Sequence, residues 1–504
     1  MTPPPADAPR KRWWPSRRLW ASVGVLAVLA IASPYLIHFW EEWQIDRDLA
    51  AAIAETDRLD PGWRIEEMRA KQEAVPDAEN VANAIRKINR LIGDKLYSPE
   101  FNNLGIPAGV EPKSFELGEW IWSIDESFDQ IPAAAVLNEQ QIRALEGELK
   151  EHTQAVQEAR KLREFSKCLL SSKTQSERIA DERALYSAAR LLRFDVLMRC
   201  ELEDLRGALE SIEALQAIAQ FEKDEANYLL VWMRPIALES ACRCTQRVLA
   251  QGIADGNRLA DIQARFLKEE NVNAFLSQVR AGRAQQDKSY RTLEEENNPE
   301  VRKQMIRFWA KDWHKDSEPK ERPRYLKWFL KERTADPRIL QTLELRQFNR
   351  MFEFAKKPIA EQFRGFDAFM RSDEGGDIQR RPQNVGERVF RTHTTIATTR
   401  TAIALERYRQ KHGDWPKSLD LLAPEFMNEV PTDLYVGKPL VYRRVERGVI
   451  VYSVGLDRKD DGGKFRWERG VVEAGMEGLD IGVRLWDPEH RRQPPLPPVV
   501  PRQP

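Results

Sequence analysis

The stretch Leu19–Phe39, LWASVGVLAVLAIASPYLIHF, contains no Asp, Glu, Lys or Arg. An apolar run of about 20 residues is long enough to cross ~30 Å of hydrocarbon as a helix, the one open-chain form that satisfies its own backbone there. The run therefore predicts a single membrane span at residues 19–40. Arg10, Lys11, Arg12, Arg17 and Arg18 precede it, and Glu41, Glu42, Asp46 and Asp48 follow it. This bias orients the basic tail, residues 1–18, to the cytoplasm and everything after residue 40 to the extracytoplasmic side of the cell membrane. Trp13, Trp14 and Trp20 on one side and Trp40 and Trp43 on the other are placed for the two interfacial belts. The competing assignment is a cleaved signal peptide with its site at Ala30-Ile31-Ala32. The apolar run continues past that site, so an uncleaved signal anchor is expected.

Charge excludes one large class of partner. Lys and Arg total 79 and Asp and Glu total 79, so no net field recruits nucleic acid, and none is expected as a partner. Charges of both signs mix along the middle of the chain, the pattern of solvated helix faces. Four cysteines, Cys168, Cys200, Cys242 and Cys244, are too few for a disulfide framework in an exported chain. Cys242 and Cys244 stand two apart in a helical pattern and point to different faces, which argues against a shared metal; buried thiols are expected. Gly-x-Ser-x-Gly, His-Glu-x-x-His, a Walker loop, Gly-x-Gly-x-x-Gly and Cys-x-x-Cys are absent from the sequence. Its six histidines, at 38, 152, 314, 393, 412 and 490, include no pair at metal-ligand spacing. The chain is therefore expected not to be an enzyme. The alternative is an envelope hydrolase whose site is assembled from dispersed residues of the helical region.

From residue 41 to about 370, apolar residues recur at three- and four-residue spacing and alternating β-branched runs are missing, which predicts an all-helical domain. Leu185, Ala188, Ala189, Leu192, Phe194, Val196 and Leu197 form one stripe. Leu209, Ile212, Leu215, Ile218 and Ala219 form the next, and ELEDLRG between them predicts a helical hairpin. A third helix is expected from about Ala226 to Ala250, with Pro235 placed to kink or divide it, and a fourth from near Asn257. These hairpins resemble a tetratricopeptide-like solenoid, but no fixed period of about 34 residues is present, and an irregular helical domain is expected. Asp287 to Arg338 is highly charged and carries Trp309, Trp313 and Trp328. Neighbouring acids such as Glu294, Glu295, Glu296 and Asp312 offset its basic residues, which favours amphipathic helices over a nucleic-acid platform. RSDEGGDIQRRPQ, residues 371–383, mixes Gly, Pro and charge without a period and reads as a linker.

Beyond the linker the period changes. Asn384 to His412 reads as one long helix with Gly413 as its C-cap. A short helix over Ser418–Ala423 and strands at Leu440–Val445 and Val449–Val454 follow, the strands joined through Glu446-Arg447-Gly448. Asp480 to Trp486 adds a third strand. Together these predict a small α+β domain over residues 384–487, and the Pro-rich residues 488–504 are expected to be a disordered or polyproline-like tail.

Within that domain, ALERYRQKHGDWPKSLDLLAPEFMNEVPTD, GKPLVYRR, VYSVGLDRKDDGG and LDIGVRLW resemble, in that order, the globular part of the major pseudopilin of type II secretion systems. The resemblance covers about the last hundred residues. It implies a closing acidic loop that binds calcium through aspartates and backbone carbonyls, with Asp457 and Asp480 at the matching positions. Calcium takes six to eight oxygens at about 2.3–2.6 Å; Asp460 and Asp461 could add ligands, and Gly462 and Gly463 permit sharp turns. The spacing is not that of a helix-loop-helix calcium site. The alternative for this loop is a solvated turn capped by aspartates. The apolar span lacks the Gly-Phe-like junction and the acidic residue of a pseudopilin leader, so prepilin processing is not expected. The expected whole is a mainly α, membrane-anchored structural or interaction protein with a protein partner in the cell envelope, carrying a calcium-stabilised module related to secretion or envelope assembly.

Overall fold

Stripes of apolar residues three and four apart can be buried only by pairing helices, and the computed structural model of the chain is accordingly mainly helical. It describes residues 17–71, 75–76, 79–93, 131–165, 175–220, 228–295, 336–372, 380–465 and 480–495. Most of the predicted basic tail, Cys168, the Trp-bearing stretch 296–335, the centre of the linker at 373–379 and residues 496–504 lie outside the described residues. In chain order the helices are α1 (Arg17–Leu59), α2 (Ile65–Ala70), α3 (Ala82–Ile92), α4 (Glu139–Glu151), α5 (Thr153–Arg160), α6 (Gln175–Glu201), α7 (Leu205–Gln220), α8 (Tyr228–Gln251), α9 (Gly256–Glu270), α10 (Ala274–Glu295), α11 (Pro337–Ala355), α12 (Ile359–Met370) and α13 (Arg380–His412). Strands β1 (Val441–Val445), β2 (Gly448–Ser453) and β3 (Ile481–Trp486) form one antiparallel sheet in the order β1-β2-β3. Two compact units result, one of Met1–Pro61 with Ser289–Arg346 and one of Gly62–Lys288 with Gln347–Pro504.

In the first unit, α1 is a continuous helix. Between residues 35 and 43 its large apolar side chains stay in the open, with Tyr35 at 75%, Phe39 at 72% and Trp40 at 56% exposure, whereas Ala52 further along is buried. Among the described residues no helix is long and apolar enough to cross a membrane. The side chains of residues 17–31 and 34, which include much of the predicted span, are not among those described. Past the apolar end, Glu42 and Asp46 stand one turn apart on α1 and both accept hydrogen bonds from Arg338, at 2.6 and 2.7 Å, while Asp336 accepts a third at 2.6 Å.

In the second unit, α7 is buried on nearly every side. Leu209, Ile212, Leu215 and Ile218 face neighbours as their spacing predicts, yet the intervening Ser211, Glu213 and Gln216 are buried too. Each of these side chains has a partner: Ser211 donates to Asp195, Glu213 accepts from Arg258, and Gln216 donates to the Ile262 carbonyl while its own oxygen is left without one. Asp204, whose side chain accepts from the Gly207 amide at 2.9 Å, starts the helix after the predicted turn. α8 continues through Pro235 as one helix instead of dividing there. Arg283, with no exposed surface, lies between the rings of Trp63 and Phe352, 5.3 and 4.8 Å from their centroids.

α13 joins the helical layer to the sheet. Ile396, Ile403 and Leu405 share one apolar core with Leu238, Val248, Leu259 and Ile262 of α8 and α9 and with Val449, Val451, Val483 and Leu485 of β2 and β3. Between them runs a threonine-rich stretch. Thr394, Thr395, Thr398 and Thr401 donate to carbonyls four residues back in their own helix, at 2.8–3.0 Å, so buried hydroxyls need nothing from neighbouring helices. Gly386 lets Phe366 approach so closely that a Cβ would sit 2.3 Å from its ring. Phe366, Phe275 and Phe363 all meet Phe390 of α13 at 5.1–5.5 Å between ring centres.

β2 is buried along its whole length. Val449 and Val451 face the helices, whereas Ile450 and Tyr452 form a second cluster with Phe465, which returns over the sheet's other face. Tyr452 is paired with Gly482 across the ladder, and a side chain at 482 would strike both Tyr452 and Phe465.

The residues after β3 depart from expectation. Residues 488–493 were predicted to begin a disordered tail, but Pro488–His490 form a short 3-10 turn and Arg491 turns inward. Arg491 donates to both oxygens of Glu406, at 3.2 and 2.7 Å, and to the carbonyls of Gly252 and Trp486. Glu406 has no exposed surface and also accepts two bonds from Arg409, at 3.1 and 2.8 Å. Arg492 donates to the Cys200 and Glu201 carbonyls at the end of α6, where helix carbonyls lack intrahelical partners. Gln493 bridges to Ala134 and Val136 through its backbone. Composition alone suggested a tail because proline dominates it; the pair of arginines ahead of the prolines is what holds it.

Burial opposes ionisation of Glu406 most strongly, but its bonds and charge pairing with Arg409 and Arg491 outweigh that and hold its carboxyl below the ordinary range. Its stabilisation is therefore complete above the ordinary carboxylate pKa and lost as pH falls through the lower folded value. Arg491→Ala, which leaves Glu406 with one cation, is expected to cost about 3 kcal/mol in chemical denaturation at neutral pH, and the deficit should shrink as the medium is acidified.

Candidate functional site

The antiparallel ladder between β2 and β3 sets Ser453 opposite Ile481, so Asp480 necessarily lies beside the loop that leaves β2. That loop, Val454 to Phe465, turns at Gly455 and Arg458 and again at Gly462 and Gly463, all with positive φ. The structure thus brings the predicted residues to one end of the sheet, though to different tasks.

Asp480 is buried, and its two oxygens accept from the amides of Gly463 at 2.7 Å and Asp461 at 3.4 Å. Burial raises its carboxyl above the usual range; the amides oppose this, and the charges of Asp460 and Asp461 add to it. Asp460 accepts from the Tyr452 hydroxyl at 2.8 Å and the Gly462 amide at 2.9 Å, and its other oxygen pairs with Arg443. These bonds, the Tyr452 hydroxyl foremost, lower its carboxyl. Asp457 accepts from the Lys459 amide at 3.1 Å, a local turn bond. One oxygen of Asp461 is buried without a hydrogen-bond partner.

No three of these four aspartates bring ligand atoms within 4.8 Å of one another. Calcium needs six or more oxygens converging on one point. Asp457 faces its own turn, while Asp460 and Asp480 are committed to hydrogen-bond donors and a guanidinium. Among the described residues the set expected for calcium does not converge on one ion, because Asp460 and Asp480 close the loop themselves, although one Asp461 oxygen is left without a hydrogen-bond partner.

Sequence patterns missed a fifth aspartate at this end of the sheet. Asp433 is buried and accepts from the Ser453 hydroxyl and from the Tyr435 and Val454 amides, each at 2.9 Å. It occupies the Val-Pro-x-Asp loop, so its signal was present, but as a motif position and not as an acidic cluster. Arg458 attaches the loop to α12, pairing with Asp367 at 2.7 Å and lying 5.7 Å from the Phe363 ring centre.

Two other groupings are visible among the described residues. Asp487, Glu489 and His490 bring ligand atoms within 4.8 Å of one another at the turn after β3, where Asp487 also accepts from the Trp415 indole at 2.6 Å. In the helical layer, His152 lies 3.7 Å from Glu148, both buried, and burial raises the Glu148 carboxyl. Such a pair has acid–base chemistry, but both side chains are almost wholly enclosed, so this arrangement offers a substrate no approach. Comparison with family models, with curated proteins and with solved structures returns no match.

Asp433→Ala is expected to destabilise the protein by about 3 kcal/mol, since it strands buried donors, whereas Asp457→Ala should stay within about 0.5 kcal/mol. Equilibrium unfolding of the two variants side by side checks this contrast.

Proposed function

We propose that the chain is a membrane-anchored extracytoplasmic structural or interaction protein, in which α1 is the anchor and a pseudopilin-like module serves secretion or envelope assembly. The observation that carries the reading is the open apolar surface of α1. Keeping each large side chain among Tyr35, Leu36, Ile37, Phe39, Trp40 and Trp43 in water costs roughly 1.5–3 kcal/mol relative to burial, and a lipid bilayer removes that cost. Glu42 and Asp46 follow at once, which suits a helix leaving the interface. The module reading is supported by the long α13 followed by a three-stranded antiparallel sheet packed on it. No catalytic role is part of this reading, and a protein of the envelope is the partner class.

Fractionation of cells producing the full chain tests the anchor. The protein is expected in the membrane pellet after alkaline carbonate extraction. Leu29→Arg, which puts a charge at the middle of the span at a cost of about 2.5–3.5 kcal/mol, should shift a substantial share to the soluble fraction. Wild-type protein recovered wholly in the carbonate supernatant overturns the reading.

A further inference from the structure

Several carboxylates crowded at the end of a small sheet repel one another unless something positive lies among them. Here the chain supplies that itself. Asp460 meets the Arg443 guanidinium at 2.5 Å while also accepting from Tyr452 and Gly462. Asp480 engages the amides of Asp461 and Gly463, whose N–H dipoles point at it as they would at a bound anion. Arg458 then carries the turn outward to Asp367. A divalent ion binding here would have to displace a guanidinium from Asp460 and pull Asp480 off two amides.

We propose that loop 455–463 is a cation-independent clasp, in which Arg443 and the backbone amides of 461–463 do the work that the pseudopilin resemblance assigns to calcium, and Arg458 fastens the closed loop to α12. The loop then needs no metal to keep Phe465 over the sheet. It also presents its outer face as a fixed surface whatever the divalent-ion concentration around it. The inference stands on the loop's geometry and does not depend on the anchor.

Hydrogen exchange of the detergent-solubilised full chain tests it, read on the amides of Asp461, Gly462 and Gly463 in millimolar calcium, without it and after chelation. Equal exchange in all three conditions is expected. Asp460→Ala should speed exchange at Gly462 by about tenfold, since it removes several bonds at once. Arg443→Ala should do so by about threefold, the scale of an exposed ion pair, and Arg443→Lys should recover part of that loss. Arg443 is exposed at the sheet edge, so its variants should fold. Calcium-dependent slowing of these amides in the wild type, or an Arg443→Ala loop that exchanges like the wild type, overturns the proposal.

Discussion

A carboxylate sealed from water determines how the second unit closes. Glu406 lies within the last two turns of α13, and its charge is tolerable only because Arg409, one turn on, and Arg491, far along the chain, both reach it. Arg491 can do so only if the chain after β3 folds back over the ends of α6 and α8. The same backbone turn places Arg492 on the open carbonyls of α6 and sets Gln493 against residues 134–136. One buried charge therefore specifies where the chain must go after its last strand.

α13 shows how a helix can be buried on several sides with few large apolar residues. Thr394, Thr395, Thr398 and Thr401 bond within the helix, so these buried hydroxyls can lie in the shared apolar core without outside partners. Where a close approach is needed, a glycine provides it, as Gly386 does beneath Phe366. Specific bonds cross from it to α8 and α9, among them Gln246 to Thr399, Thr392 to Glu239, Arg400 to Glu270 and Arg407 to Gln263.

Periodicity made most elements legible. The stripes around Leu185–Leu197 and Leu209–Ala219, the turn at 202–204, the long helix ending at His412 and all three strands lie within a few residues of where spacing put them. What spacing could not convey was pairing at a distance. Residues 488–493 look like a proline-rich tail until Arg491 finds Glu406. Asp433 looks like one acid among many until its three donors are seen, and it is buried because β2 ends beside it. The acidic loop was legible as a place but not as a mechanism. Aspartates and glycines in that order suit a metal loop and a self-capped loop equally; that Arg443 of GKPLVYRR reaches Asp460 from the neighbouring strand is a pairing at a distance that spacing does not convey.

The sheet and the helices share α13, with apolar groups from both converging on Ile396 and Ile403. A C-terminal piece built this way is not a detachable head on a stalk. Cutting the chain ahead of α13 would strip one wall from each neighbour. Natural exchange of such a piece between unrelated proteins would therefore have to carry a matching helical cradle along with it.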